Sequence, residues 1–195
     1  LTLISTVIIL LGGCSSSYNK LSKIQEKKPD NFQEYLLSEY KKKATFEAEV
    51  MHDWNSAKLY SEKALKSLET DKIYPEDISY WKLPDGNIKE IRIAYDNLMA
   101  IYEDAKEIDP FNLARAISSL DCWSEQQEEN WQTWDINRCK DDFLNAMHNI
   151  YQKITSEDNN KNNNTNLEQT SRDEVTVVTK NKNEELMQII YFDFD

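Results

Sequence analysis

The chain has 195 residues, enough for one domain with tails, and only 39% of them are hydrophobic against 30% charged, so part of it lies outside any core. A net charge of −12 argues against a nucleic-acid partner, because binding to phosphate draws on clustered Lys and Arg. The only basic cluster, Lys41-Lys42-Lys43 on a predicted helix, is equally poor ground for peripheral binding to anionic lipid, and three glycines are too few for a loop that cradles phosphate.

Residues 1–11 form an uncharged apolar run broken only by Thr2, Ser5 and Thr6. That is well short of the roughly 20 residues a bilayer crossing needs, but it has the length of the apolar region of a secretory leader. Leu11-Gly12-Gly13-Cys14 follows at once, then Ser15-Ser16-Ser17. A branched apolar residue, two small residues and a cysteine in that order resemble the lipobox of bacterial lipoproteins. Small side chains ahead of the scissile bond let a peptidase close around extended backbone. The resemblance implies that the Cys14 thiol takes a thioether-linked diacylglycerol and that cleavage leaves Cys14 as an acylated N-terminus. Two or more acyl chains hold a protein stably, at about 0.8 kcal/mol per buried CH₂. Ser15 rather than Asp after the cysteine implies sorting to the outer membrane, with the protein facing the periplasm. The alternative is an ordinary secreted chain cleaved near Gly13 with Cys14 free. Leu1 stands where Met is expected, and no Lys or Arg precedes the apolar run, so residues 1–13 read as a leader whose positive start is missing.

Residues 14–30 are polar, contain Pro29, and are expected to be a lipidated tether. Helical periodicity begins after them. The first predicted helix carries the stripe Leu37, Tyr40, Ala44, Ala48 and Met51. Asp53 is placed to cap a second, with Ala57, Tyr60, Ala64, Leu65 and Leu68. Pro75, Trp81 and Pro84 mark a loop, and Asp85-Gly86-Asn87 a turn. Ile88, Ile91, Tyr95, Leu98, Tyr102 and Ala105 give a third helix. Asp109-Pro110 supplies a cap and a proline at the first helical position, ahead of the fourth stripe, Leu113, Ile117, Leu120 and Trp123. Asp135 opens a fifth, with Ile136, Cys139, Phe143, Ala146, Ile150 and Ile154. The expectation over 31–155 is an all-α periplasmic domain of about five amphipathic helices. The run from Asp53 to Leu65 resembles a tetratricopeptide-like hairpin, and Asn112 to Leu120 does so weakly, so stacked hairpins of that kind are expected without a strict repeat.

With Cys14 assigned to lipid, Cys122 and Cys139 remain, 17 positions apart, in a compartment where disulfides persist. A bridge would pin the fifth helix to the end of the fourth; the alternative is two buried thiols. Neither cysteine has the ligand spacing of a zinc site, and no metal or cofactor is expected. Residues 156–174, rich in Asn, are expected to be a disordered linker, because they have too little apolar surface to offset chain entropy.

Val175-Thr176-Val177-Val178 is β-prone, and the chain closes on Ile189-Ile190-Tyr191-Phe192-Asp193-Phe194-Asp195, an alternation expected of an isolated strand. Tyr191-Phe192-Asp193-Phe194-Asp195 resembles the first strand of the OmpA-like peptidoglycan-binding domain. The helical region is similar to an N-terminal domain of alphaproteobacterial members of that family over Glu49 to Trp54, Ala57 to Leu65, Asp121-Cys122-Trp123-Ser124-Glu125-Gln126-Gln127-Glu128-Glu129-Asn130-Trp131-Gln132, Asp135-Ile136 and Cys139. The resemblance implies an outer-membrane lipoprotein in which 175–195 begin a domain truncated here. Peptidoglycan would be gripped only by that missing domain, so no ligand-binding residue is retained and Asp193 and Asp195 are strand residues.

His52 and His148 stand alone, without an HExxH pair or a GxSxG elbow, and no catalytic residue is expected. Asp121, Glu125, Glu128 and Glu129 alternate with Trp123, Trp131 and Trp134. Such a mixture can bind or cleave sugars, but the expectation is that the tryptophans pack the corner between the fourth and fifth helices while the acids and amides bond it. The expected function is non-catalytic tethering between outer membrane and peptidoglycan. The second reading is an interaction module whose helical domain docks an envelope protein; a hydrolase acting through Glu125, Glu128 and Glu129 is the third.

Overall fold

A computed structural model describes residues 14–165. Among the described residues the regular structure is helical: α1 (Cys14–Leu21), α2 (Phe32–Phe46) continued by a π-helical turn (Glu47–Met51), α3 (Trp54–Lys66), a 3-10 turn (Ile78–Tyr80), α4 (Asp85–Ala100), α5 (Tyr102–Ile108), α6 (Pro110–Glu129) and α7 (Thr133–Thr165). The expected leader over 1–13 and the β-prone and strand segments of 175–195 lie outside the described residues. The chain divides into two compact units, Leu1–Tyr74 and Pro75–Asp195.

In the first unit Asn31 starts α2 by accepting the Glu34 N–H at 3.0 Å, while the Glu34 carboxylate reaches back to the Asp30 N–H at 3.2 Å, the reciprocal pattern of a capping box shifted by one residue. The buried stripe is Phe32, Leu36, Tyr40 and Ala44. Leu36 replaces Leu37 in it, because steps of four from Phe32 reach Leu36 first. The helix widens over Glu47–Met51 and ends at His52, which takes the left-handed conformation (φ 58°). His52 and Asp53 both donate their N–H to the Glu47 carbonyl. His52 is therefore a helix terminator. Asp53 caps α3 as expected, accepting from the N–H of Asn55 and Ser56 at 2.8 and 3.1 Å.

α3 packs on α2 through small residues. Ala57, Tyr60 and Ala64 are fully buried, the Tyr40 and Tyr60 rings stack with centroids 6.2 Å apart, and the Lys63 ammonium lies 5.5 Å from the Tyr40 ring. Leu65 is half-buried and Leu68 exposed. Their expected places are taken by Ser61 and Ser67, buried because their hydroxyls donate to the carbonyls of Ala57 and Ala64 at 2.6 and 2.8 Å.

α1 corrects the expected tether. Residues 14–21 form two turns of helix against α3, with Leu21 fully buried and Ser17 and Tyr18 buried beside it. Tyr18 Oη donates to Glu49 at 2.6 Å, Ser17 Oγ donates to Glu62 at 3.2 Å, and the Tyr18 ring meets Trp54 edge-on at 6.2 Å. Two apolar residues three apart suffice to seat eight residues that read as polar.

In the second unit α6 is the central helix, packed on α4, α5 and α7. Asp109 and Pro110 start it as expected. The buried Asp109 carboxylate accepts from the Asn112 side chain at 2.6 Å and pairs with Lys153 at 2.8 Å. The third expected helix is two. Ile101 leaves helical geometry (φ −112°, ψ 4°) between α4 and α5, so that Ile101 and Tyr102, which a straight helix would splay by about 100°, are both buried. Asp85-Gly86-Asn87, expected as a turn, is the first turn of α4. α7 continues to Thr165, so helix occupies 156–165 of the expected linker. Extending a formed helix adds one hydrogen bond per residue without needing a new nucleus. Residues 166–174 lie outside the described residues.

Tyr151 on α7 is buried, and its hydroxyl has no hydrogen-bond partner among the described residues. Burial pushes its pKa up to about 12. In the unfolded chain the same group titrates near 10, so the unfolded state releases the proton first and stability falls as pH rises from about 10 to 12. Tyr151→Phe is expected to reduce this alkaline loss and, by deleting an unsatisfied hydroxyl, to raise stability at pH 7 by about 1 kcal/mol. Urea unfolding at pH 7 and across pH 9 to 12 measures both; an unchanged alkaline slope would contradict the assignment.

Candidate functional site

The turn between α6 and α7 gathers most of the residues that the sequence marks as chemically interesting. α6 ends at Asn130, which takes the left-handed conformation (φ 53°) that Asn tolerates and donates its N–H to the Gln126 carbonyl at 3.0 Å. Only Trp131 and Gln132 then separate Asn130 from Thr133, where α7 begins, so α7 must fold back along α6. Cys122 and Cys139 face each other across this pair and are bridged, with Cα atoms 5.6 Å apart. That is within the range a disulfide spans. Beside the bridge the buried Trp123 packs on Phe143 with centroids 6.0 Å apart. Lys140 lies 5.6 Å from the Trp123 ring and pairs with Glu90 of α4 at 2.6 Å. Arg115 and Asp142 tie the two helices again at 2.5 Å.

The acids of this region bond to their neighbours, and carboxylate oxygens of Glu125 and Glu129 lie within 4.8 Å of each other. Asp121 is buried and accepts the Glu76 N–H at 2.7 Å, holding the loop ahead of α4. Glu125 is buried and accepts from the Gln126 amide at 2.7 Å. Glu128 is half-buried and Glu129 exposed, and Glu129 accepts the indole N–H of Trp131 at 3.1 Å. Glycoside cleavage needs two carboxyl groups facing one another across a space for substrate. Glu128 and Glu129 are consecutive on a helix and diverge by about 100°, whereas Glu125 and Glu129 stand one turn apart with carboxylate oxygens within 4.8 Å. Asp135, expected to open the fifth helix, lies in the first turn of α7 instead; it is fully buried and pairs with Arg138 at 2.5 Å, where a carboxylate also favours the helix N-terminus.

Of the three tryptophans expected to pack this corner, only Trp123 does so. Trp131 is 69% exposed and Trp134 58%. Trp131 sits in the turn itself. Trp134 lies off the face of α7 that carries the buried Asp135, Cys139 and Phe143 and shares the outer face with Arg138, whose guanidinium lies 5.4 Å from its ring. Each exposed ring is thus steadied by one charged neighbour. The sequence signal for this was available: Asp135, Cys139, Phe143, Ala146 and Ile150 fix the inner face of α7, and Trp134 is off it.

The remaining marked residues lie elsewhere. Cys14 opens α1. His148, on α7, has its Nε2 2.7 Å from the Gln152 amide. Residues that the sequence did not single out are Val50, 61% exposed, and Trp54, 43% exposed, at the corner between α2 and α3. No helix among the described residues is long and apolar enough to cross a membrane. Comparison with protein-family models, curated proteins and solved structures finds no match to this chain.

Opening the Cys122–Cys139 bridge is expected to lower stability by about 3 kcal/mol, the chain-entropy value for a loop of this size. Urea unfolding with and without reductant measures it. A change below about 1 kcal/mol would mean that the packing of Trp123 on Phe143 holds the joint without the bridge.

Proposed function

We propose that this chain is a lipid-anchored protein of the bacterial cell envelope, attached to the outer membrane at Cys14 and facing the periplasm. The observation that carries the reading is Leu11-Gly12-Gly13-Cys14 directly behind an uncharged apolar run.

The proposal extends to the OmpA-like family of envelope lipoproteins, on the resemblance of residues 191–195 and of the helical region. In that reading the role is mechanical: lipid holds one end, an OmpA-like domain holds peptidoglycan, and two weak attachments on one chain reinforce each other through effective concentration. The α2–α3 pair is proposed as a tetratricopeptide-like hairpin, a reading favoured by Ala44, Ala57 and Ala64, buried where two helices approach. A second reading, docking of an envelope protein on the helical region, is favoured by the exposure of Trp131 and Trp134, because exposed aromatic anchors are common at interfaces.

Growth with labelled palmitate tests the anchor. The chain is expected to take up label and fractionate with membranes, and Cys14→Ala to do neither. Equal labelling of the two, or an unlabelled parent protein, would overturn the reading.

A further inference from the structure

We propose that the mooring is short and built into the fold, so that α1 presses the α2–α3 corner into the lipid headgroup layer with Val50 and Trp54 leading. This rests on the lipid-anchor reading and adds where the body stands once anchored.

The geometry leaves little slack. Ser17 is already buried, and three residues reach at most about 10 Å even when extended; in α1 they span about 5 Å. The headgroup region of one leaflet is itself roughly 5–8 Å deep. A body held that close to the acylated residue meets the headgroups. The surface it offers is set by Tyr18, four residues after Cys14 in α1. Tyr18 touches Trp54 ring to ring at 6.2 Å and donates to Glu49 at 2.6 Å. Glu49 and Trp54 bracket the corner on which Val50 and Trp54 stand 61% and 43% exposed. Tryptophan favours the headgroup level, where its apolar ring and its N–H are both accommodated. The occupant of this surface is therefore the bilayer that receives the acyl chains, not a separate protein.

The test uses the full chain, exported behind a lipoprotein leader and reconstituted in phosphatidylcholine vesicles, with Trp54 or Leu68 replaced by photoreactive p-benzoylphenylalanine. Leu68 is also an exposed apolar residue, about 20 Å further along the direction of α3. Lipid crosslinking at position 54 is expected to exceed that at 68 at least fivefold and to fall several-fold when Tyr18→Ala loosens α1. Equal crosslinking at the two positions, or protein adducts at 54 in place of lipid, in material shown by mass to be acylated, would overturn the short mooring and leave the anchor intact. Material without acyl chains would overturn both.

Discussion

Leu21 of α1, Leu36, Tyr40 and Ala44 of α2, and Ala57, Tyr60 and Ala64 of α3 are all fully buried, and the first unit hangs on the seam they form. Eight residues do not hold a helix in water, since a nucleus that short costs more than its few hydrogen bonds return. α1 is helical because the seam receives Leu21, at about 1.5–3 kcal/mol for a side chain of that size, and because Tyr18 and Ser17 find acceptors on Glu49 and Glu62. The position of Cys14 relative to α2 and α3 follows from the same contacts. If Cys14 carries lipid as proposed, this burial sets how far the body stands from its membrane.

The second unit is organised around a different constraint, the burial of α6 on nearly every side. Such a helix is ordinarily apolar all round, yet here Asn112, Ser118, Ser119, Asp121, Ser124 and Gln127 are buried with the leucines. A buried polar group is tolerable when bonded. Ser118 donates to the Arg115 carbonyl at 3.1 Å, Asn112 bonds Asp109 and Asn149, and Asp121 takes the Glu76 N–H. The bonds to Glu76 and Asn149 fix α6 in rotation as well as in place. The bridge to α7 then holds the turn that carries Trp131 and Trp134.

Local chemistry was readable in the sequence and tertiary choices were not. Asp53 and Asp109-Pro110 announce helix starts because an acceptor ahead of a periodic run satisfies orphan N–H groups wherever the helix lies. The apolar stripes located the helices for the same reason of spacing. Leu36 and Leu37, by contrast, are adjacent and equally apolar, and only the continuation of the buried stripe back to Phe32 selects Leu36. Tyr18 and Leu21 are too few to show periodicity, so α1 read as tether. The break at Ile101 has no Gly or Pro to mark it; it exists because two consecutive side chains both turn inward. At the candidate site the bridge between Cys122 and Cys139 followed from pairing the cysteines left after Cys14. The exposure of Trp131 and Trp134 was hidden by the presumption that large aromatics seek the core.

Whether α1 is part of the fold is examined most directly by amide hydrogen exchange on the full chain. The amides of Tyr18 to Leu21, whose carbonyl partners lie within α1, should exchange as slowly as those in the middle of α3, and should speed up together with them as urea is raised. Exchange of 18–21 at the rate of an unstructured peptide, while α3 stays protected, would contradict it: the segment after Cys14 would then be a tether, and nothing in the fold would set the distance between body and membrane.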